Sequence, residues 1–488
     1  MRNVSGIVRV GAVALVATGL AVGATRVSGS VTLATPGERA GLPESSNVLV
    51  DEASLVCPGQ QRLGAVGLRD VQGSVTVAAS APDGGVVAGG PSGGGGTVQL
   101  LSGPTSTGLA QTSSRGEVAA AGVSTPEVVM ARASGALAPG LVASQVWQHK
   151  GDDDRGLAVT QCQQPSSDVW LVGGGAGPSR TERVVVSNPG ANAVSVSFEV
   201  FGRSGPIDAA DDRSISVPPL SREVVSLDAV APDEGGPVVH VTATGGVMSA
   251  VLDEQWILGA TGRGIDDSTR AAAPSTDLVV PGVETGGSVW LRLVNPGETE
   301  SLAQVRLLTD KGAVQPDDLR AVRVPAGTTL DVAMPPNAAA MGLGVRSDHP
   351  LVAAAWTERR ATVADKMGDF AWTPATPVLR GVGGVMLQGL PGTTKRLLLT
   401  AGPAEASVQV RLGTGSAAKV STVTVPADST TVVAAGDADS VWVVPGSGAV
   451  RAALSVAGVD GSVPFFSVAP ITDAPVRALA VPVRQVRN

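Results

Sequence analysis

The chain has 488 residues, of which 63 are Gly and 34 are Pro, and its formal net charge is −8. An acidic chain without a basic face excludes nucleic-acid and anionic-lipid binding as the main function, so we expect no nucleic-acid partner. The hydrophobic fraction of 43% is large enough to bury a core. Three His and two Cys leave little material for metal or nucleophilic chemistry, and we expect neither a bound metal nor a cofactor.

The first 25 residues have the pattern of an export signal. Arg2 and Arg9 precede a run without charges at residues 10–25. The pattern predicts either a cleaved signal peptide or a retained signal-anchor helix, because residues 7–24 are just long enough to span a membrane. The preceding arginines would keep the N-terminus inside. We therefore expect an extracytoplasmic chain, membrane-anchored or secreted, with residues 26–49 as a spacer.

The two cysteines agree with export. Cys57 and Cys162 form an even pair, which in an exported chain predicts a disulfide, although two buried free thiols are the alternative. The bond would join the first and last strands of a divergent β module at residues 50–164. Within that module, the Gly-rich and Ser/Thr-rich residues 81–116 predict a mobile loop.

A repeat occupies the rest of the chain. Asn188, Asn295 and Gly402 each open a turn containing Pro, and both intervals are 107 residues. Strict alternation of apolar and polar residues follows each turn, as at residues 194–200. A period of two with one apolar face is typical of a half-buried strand. Each copy is therefore predicted to open with a hairpin.

The repeat predicts an all-β fold of tandem immunoglobulin-like β-sandwich modules after one N-terminal signal or anchor helix. Many short strands in units of about 100 residues suit this architecture. The module boundaries are placed at residues 165–273, 274–373 and 374–488, the last including a C-terminal strand. Because the linkers are very short, we expect the modules to form a semi-rigid rod.

Candidate chemical motifs are few, and each has a plain structural alternative. Acidic loops could bind Ca²⁺, but without the spacing of a dedicated site a solvated turn is the other interpretation. The run of glycines at 173–175 precedes a strand, which favours a bulge or wide turn over a phosphate loop. A Gly-x-Ser-x-Gly match at residues 90–94 lies in the Gly-rich loop. Three carboxylates at strand ends are interpreted as repeat surface: Asp253, Glu254 and Glu358. The acidic loops contain Asp152, Asp153 and Asp154; Asp208, Asp211 and Asp212; and Asp437 and Asp439.

Aromatic residues are the candidate contacts for a sugar, because rings stack on pyranose faces. Most of the 12 aromatics are assigned to module cores. Trp256 and Trp372 lie in less regular sequence and are the two candidate ligand-contact residues. No catalytic residue is predicted.

The chain resembles a family of actinobacterial exported proteins of unknown function. The resemblance rests on several short motifs: Arg155-Gly156-Leu157-Ala158, Cys162, Pro165, Trp170, Gly173-Gly174-Gly175 and Asn188-Pro189-Gly190. It implies a secreted or membrane-anchored envelope protein, from genomes in which such proteins neighbour glycosyltransferase genes. It carries no catalytic residues to transfer.

These observations predict a non-enzymatic cell-envelope protein that acts as a structural spacer or interaction scaffold. Its expected partners are envelope or membrane proteins, with a glycosyltransferase as one candidate. The first alternative is a protein that binds cell-wall polysaccharide. The second is an envelope enzyme whose site the sequence does not reveal.

Overall fold

A computed structural model describes residues 46–60, 75–87, 95–151, 154–175, 180–207, 214–232, 234–284, 287–335, 340–360, 362 and 367–480. The expected signal or anchor helix at residues 1–25 lies outside these ranges, as do the Gly-x-Ser-x-Gly match and most acidic residues of the first two candidate Ca²⁺ loops. None of the described helices is long and apolar enough to cross a membrane.

The regular secondary structure of the described chain is almost entirely β, which confirms the all-β class. Its sequence is rich in Val and Thr, which fit a pleated surface, and in Gly and Pro, which interrupt helices. One short α-helix spans Leu227–Val230. Three 3-10 turns span Gly135–Leu137, Asp317–Leu319 and Gly415–Ala417.

The strands group into four pairs of sheets, which we call sheet pairs 1 to 4. The strands near and within sheet pair 1 are β1 Ser46–Leu49, β2 Glu52–Cys57, β3 Val75–Ser80, β4 Val98–Ser102, β5 Thr107–Thr112, β6 Val118–Val123, β7 Val129–Ser134, β8 Val142–His149 and β9 Gly156–Gln161. The two sheets have the orders β2-β7-β4-β5 and β6-β3-β8-β9. Trp147 is completely buried in the core between them.

Sheet pair 2 has the same plan. Its strands are β10 Asp168–Val172, β11 Arg180–Asn188, β12 Val194–Gly202, β13 Gly205–Pro206, β14 Ser214–Val217, β15 Ser221–Ser226, β16 Val238–Thr244, β17 Ser249–Leu258 and β18 Thr261–Ser268. The sheet orders are β10-β16-β12-β13, with β14 beside β12, and β15-β11-β17-β18. The alternation predicted for residues 194–200 is confirmed, since the apolar residues are buried and the polar ones exposed.

In sheet pair 3 one long strand belongs to both sheets. The strands are β19 Ser275–Pro281, β20 Ser288–Val294, β21 Ser301–Thr309, β22 Gly312–Val314, β23 Val322–Val324, β24 Thr329–Ala333, β25 Ala340–Arg360 and β26 Gly368–Pro374. The first half of β25 pairs with β19 and β21, and its second half pairs with β20 and β26.

Sheet pair 4 returns to two separate sheets. The remaining strands are β27 Gly383–Met386, β28 Thr394–Ala401, β29 Ala406–Leu412, β30 Lys419–Val425, β31 Thr430–Ala434, β32 Ser440–Ser447, β33 Val450–Asp460, β34 Val463–Ile471 and β35 Arg477–Ala480. The sheet orders are β27-β32-β29-β30 and β31-β28-β33-β34, while β35 pairs with β1.

The repeated Asn-Pro-Gly turns are built with the same hydrogen bonds. Asn188 Nδ2 donates to the carbonyls of Asn192 and Val217, at 2.8 and 3.0 Å, and its Oδ1 accepts from Gly190 N. Asn295 repeats this pattern with the residues 107 positions later. An Asn side chain that bonds to nearby backbone fixes a turn, which explains why the motif recurs where each hairpin begins.

The disulfide is present, and the loop predicted around it differs from expectation. Cys57, the last residue of β2, is bonded to Cys162, which directly follows β9. Much of residues 81–116, predicted to be a mobile loop, instead forms β4 and β5, because Val98 and Leu100 are completely buried in the core. Residues 88–94 of that segment lie outside the described ranges.

Within residues 48–478 the four sheet pairs close into a ring, so the expected rod is wrong. The last strand of each pair (β9, β18, β26 and β34, the inner strands) packs against two of the others in cyclic order. The junctions bury apolar residues in pairs 1 and 2, 2 and 3, 3 and 4, and 4 and 1. A linear rod would leave the junction between pairs 4 and 1 unmade, and there Trp442 is 1% exposed.

Candidate functional site

The four inner strands meet at the carboxylate of Asp369. It accepts hydrogen bonds from backbone N–H groups of all four: Leu157 at 3.0 Å, Ile265 at 3.3 Å, Phe370 at 3.0 Å and Phe466 at 2.9 Å. Each inner strand is a sheet edge, and an edge carries N–H groups that its own sheet does not satisfy. A carboxylate has about four lone-pair sites, so one Asp matches four converging donors.

Glycines make room for that carboxylate. A Cβ on Gly264 would lie 2.4 Å from Asp369 Oδ1, and a Cβ on Gly156 would lie 2.7 Å from Ile265 N. Both residues also have positive φ, at 126° and 155°. The Arg-Gly step at Arg155-Gly156, part of the family resemblance, therefore recurs at Arg263-Gly264 for a packing reason.

Other side chains accept hydrogen bonds from further backbone N–H groups at the edges of the inner strands. Trp372 N donates to Asp266 Oδ2 at 2.6 Å, and Val159 N donates to Ser467 Oγ at 3.0 Å. Burial raises the pKa of both Asp266 and Asp369, while backbone N–H donors oppose that rise by stabilising the carboxylates. The buried carboxylates of Asp266 and Asp369 thus act as hydrogen-bond acceptors between the inner strands.

Beyond the C-terminal ends of the inner strands lies a cavity of about 410 Å³, which we call the axial cavity. The linkers that leave β9, β18 and β34 all contribute to its wall, through Gln161–Gln164, Thr269–Ala273 and Thr472–Ala474. A volume of this size suits a small organic molecule, and concave sites with a few polar groups are typical ligand sites.

Arg270 is the only cationic side chain in the described wall of this cavity, and it has no hydrogen bond or ion pair among the described residues. Burial lowers the pKa of Arg270, and the charge of Asp168 partly opposes that effect. The two carboxylates of the wall have partners. Asp168 lies 3.1 Å from His240 Nε2, and Asp473 accepts from the N–H groups of Arg380 and Gly381.

Near the start of β18 is a second notable region, the tryptophan–arginine cluster, formed by Trp256, Trp356, Arg180 and Arg263. The guanidinium carbons of Arg180 and Arg263 lie 4.4 and 4.0 Å from the centre of the Trp256 ring. Trp356 lies 6.0 Å from the same ring. Trp290, 41% exposed, is the register partner of Trp356 on the neighbouring strand, so aromatic side chains continue outward to the surface.

Below this cluster lie the two carboxylates of Glu182 and Glu254, which are register partners on β11 and β17. Glu254 accepts from Gly174 N at 3.1 Å and from Trp372 Nε1 at 2.7 Å, and Glu182 accepts from Gly175 N. Burial, followed by repulsion from Glu254, raises the pKa of Glu182 to about 8. The glycine loop therefore holds the protein's own carboxylates, consistent with the wide turn predicted there.

These acids correct one sequence-based interpretation. Asp253, Glu254 and Glu358 were expected on the repeat surface, but they are 0%, 1% and 4% exposed. Each lies opposite an arginine: Arg183, Arg180 and Arg263 respectively. Desolvated carboxylates need such partners, so these residues stabilise the junctions between strands and sheet pairs.

The two candidate aromatic residues have different surroundings. Trp372 is 3% exposed and donates to Glu254, whereas Trp256 is half-buried in the tryptophan–arginine cluster. Whether either contacts a ligand stays a prediction. Trp290, which was not among the candidates, is exposed, because Leu291 and Leu293 occupy the core face of its strand.

Among the remaining candidates, the described residues contain no group of three or more His, Cys, Asp or Glu side chains placed to hold a metal ion. Asp154 bonds to His149 at 2.9 Å, and the backbone beside Asp437 and Asp439 accepts from Lys395 Nζ.

Sequence reasoning missed Asp369 and Arg270, since neither lies in a motif. The nearest signal was the recurring Arg-Gly step, which marks two of the four strands that meet at Asp369.

Comparison with known proteins identifies a family for this chain. No curated protein sequence matches the chain. A family model described as a "Family of unknown function (DUF5719)" matches residues 117–436, which reach from β6 in sheet pair 1 to the end of β31 in sheet pair 4. Since the match covers more than half of the sequence, the chain belongs to this family of unknown function.

Proposed function

We propose that the protein is a non-enzymatic interaction scaffold of the cell envelope, exported by an actinobacterium and built from four immunoglobulin-like sandwiches. The Cys57–Cys162 bond supports an oxidising, extracytoplasmic location. Whether the N-terminal segment anchors the chain or is cleaved does not alter the proposal. A ring offers a broad rigid surface, which suits a scaffold better than a spacer.

The observation that carries the proposal is the four-strand junction at Asp369. It uses a buried acid to connect strands that lie far apart in sequence, and it leaves that acid no free acceptor for a substrate. At Glu182, Oε1 accepts from Gly175 N; Oε2 has no hydrogen-bond partner but is covered by backbone, since a Cβ on Gly174 would lie 2.5 Å from it. Strongly shifted acids often mark active sites, but they also arise in structural networks. Here the glycine backbone covers the acid, which supports the structural alternative.

Exposed apolar side chains on several sheet pairs could receive a partner protein. Those that are 40% exposed or more include Val247 and Leu258 in pair 2, Trp290, Leu302 and Val314 in pair 3, and Val420 and Val459 in pair 4. Trp290 is the strongest candidate, because Trp is enriched at the energetic centre of protein interfaces.

The test is photo-cross-linking in intact cells. A photoreactive amino acid would replace Trp290 in one variant and Asp310, on an exposed turn, in a control, and cross-linked products would be identified by mass spectrometry. A scaffold predicts one defined envelope or membrane protein, for example a glycosyltransferase, captured from the Trp290 position. Capture of no protein from the Trp290 position, or capture of the same products from Trp290 and Asp310, would contradict the scaffold.

A specific observation also favours a second function, binding of cell-wall polysaccharide. The rings of Trp290, Trp356 and Trp256 run from the surface into the tryptophan–arginine cluster, and exposed rings are the usual platform for sugars. Sedimentation with purified cell-wall polysaccharide would test it. Binding lost in Trp290→Ala but kept in Val420→Ala would support this function, and equal binding by both variants would contradict it.

A further inference from the structure

We infer that the axial cavity binds a small molecule that carries a carboxylate group, and that Arg270 binds this carboxylate directly. This site lies at the other end of the inner strands from the tryptophan–arginine cluster and does not depend on the proposed scaffold function. The inference rests on the cavity, on the charges in its wall and on which of those charges already have partners.

The first step concerns the cation. Arg270 belongs to the linker that follows β18, and this linker lines the cavity from Thr269 to Ala273. Its guanidinium makes no hydrogen bond or ion pair with a described residue. The side chain is half-buried at the cavity wall, and an anionic ligand would supply the hydrogen-bond acceptors that its N–H donors lack among the described residues. A planar fork of N–H donors matches a carboxylate by two parallel hydrogen bonds.

The second step concerns the acids that face Arg270. Asp168 is shared with His240, and both oxygens of Asp473 accept from backbone N–H groups. Burial raises the pKa of Asp473, and the backbone N–H groups of Gly381 and Arg380 oppose that rise. Both acids have hydrogen-bond partners of their own, and neither forms a hydrogen bond or ion pair with Arg270. The charge of Asp168 acts on Arg270, but the N–H donors of Arg270 remain available to a ligand.

The third step concerns the neutral groups. Gln163 and Thr269 line the cavity, and neither side chain has a hydrogen-bond partner among the described residues. An amide and a hydroxyl beside an arginine can bind the rest of a small polar molecule. The remaining wall is largely apolar and includes Leu55, Leu141 and Pro470. A compact molecule with one carboxylate fits this set better than a highly charged phosphate ester.

Two sources of that carboxylate can be separated by paired probes. D-Glucuronate represents an acidic sugar, with D-glucose as its neutral counterpart. N-acetyl-alanine represents a peptide terminus, with its amide as the neutral counterpart. Titration calorimetry on the full chain should show binding of at least one acid and at least tenfold weaker binding of its neutral partner. Equal binding of an acid and its neutral partner, or no binding by either acid, would overturn the inference.

Variants locate the site. Arg270→Gln should weaken binding of the preferred acid by at least about tenfold, as expected for loss of a charge-assisted pair. Arg323→Gln is the matched control, because Arg323 is 73% exposed and is not part of the cavity wall. Unchanged binding in Arg270→Gln would refute the assignment. If that variant does not fold, the paired probes on the unaltered chain still decide whether a carboxylate is recognised.

Discussion

Asp369 accepts a hydrogen bond from the backbone N–H of Leu157 at 3.0 Å, although the two residues are 212 positions apart. The bond joins the inner strand of sheet pair 1 to that of sheet pair 3. Since Asp369 also accepts from the inner strands of pairs 2 and 4, this one side chain connects all four sheet pairs. Its loss should therefore affect the whole ring rather than one pair.

We expect Asp369→Asn to lower the free energy of unfolding by about 2–6 kcal/mol. One carboxylate oxygen would become an NH₂ group facing two N–H donors, and each unsatisfied buried donor costs roughly 1–3 kcal/mol. Urea unfolding followed by tryptophan fluorescence would measure the change. Asp310→Asn, on an exposed turn, is the control and should change the free energy by less than about 0.5 kcal/mol. Equal stability of the two variants would show that Asp369 does not hold the ring together.

Arg292 provides a second test at the junction of sheet pairs 2 and 3. It is 4% exposed, donates to the carbonyls of Gly173, Gly174 and Pro237, and forms an ion pair with Asp331. Burial alone would raise the pKa of Asp331, but the hydrogen bonds from Arg292 hold it below its usual value.

Arg292→Ala should therefore cost about 2–4 kcal/mol, because it leaves three carbonyls without their donor and removes one of the two arginines that bind Asp331. Arg203 would still donate to that carboxylate, at 2.9 Å. Arg323→Ala is the matched control in the same sheet pair. Arg323 is 73% exposed and pairs with Glu300, and such surface pairs contribute about 0–1 kcal/mol. Thermal unfolding of both variants would compare them, and a control as unstable as Arg292→Ala would contradict the assignment.

The local features of this fold could be predicted because they depend on residues close in sequence. Alternation at residues 194–200 fixed one strand and its buried face, and Asn188 and Asn295 marked equivalent turns. The disulfide followed from there being two cysteines in a chain with an export pattern. Each inference needed only a short window or a composition argument.

Ring closure could not be predicted in this way, because it depends on contacts between distant strands. Gly156 and Gly264 occur in repeated Arg-Gly steps, but the acid they make room for, Asp369, occurs in only one repeat. The surface position of Trp290 could have been predicted, since Trp290 and Arg292 lie on the same face of the strand. The position of Arg270 in the axial cavity could not, because linkers that are far apart in sequence form that cavity.

The pKa of Glu182 predicts a dependence of stability on pH. In the folded state this pKa is raised from 4.5 to about 8, so the native chain holds a proton that the unfolded chain releases between these values. Stability contributed by this group is present below about pH 4.5 and is lost as the pH rises through about 8. The slope would reach about 1.4 kcal/mol per pH unit for one proton.

Glu182→Gln should therefore flatten the decrease in the free energy of unfolding between about pH 5 and 8. The glutamine oxygen can still accept from Gly175 N, and no charge is buried at high pH. Urea unfolding at a series of pH values would measure the slope. Glu298→Gln, on an exposed turn, is the control and should retain the slope of the unaltered chain. The same slope in Glu182→Gln would mean that Glu182 does not titrate in this range.

Trp372 and Trp290 lie on one face of the same sheet, on either side of Trp356, and allow the same substitution to be compared. Trp372→Phe keeps a buried ring but removes the hydrogen bond from Nε1 to Glu254, which should cost about 1–3 kcal/mol. Trp290→Phe alters a side chain of a residue that is 41% exposed and should change the free energy of unfolding by less than about 0.5 kcal/mol. Denaturant unfolding of both variants would measure the difference. An equal or larger loss in Trp290→Phe would mean that Trp290 is needed for folding, which would remove it as a candidate for binding a partner.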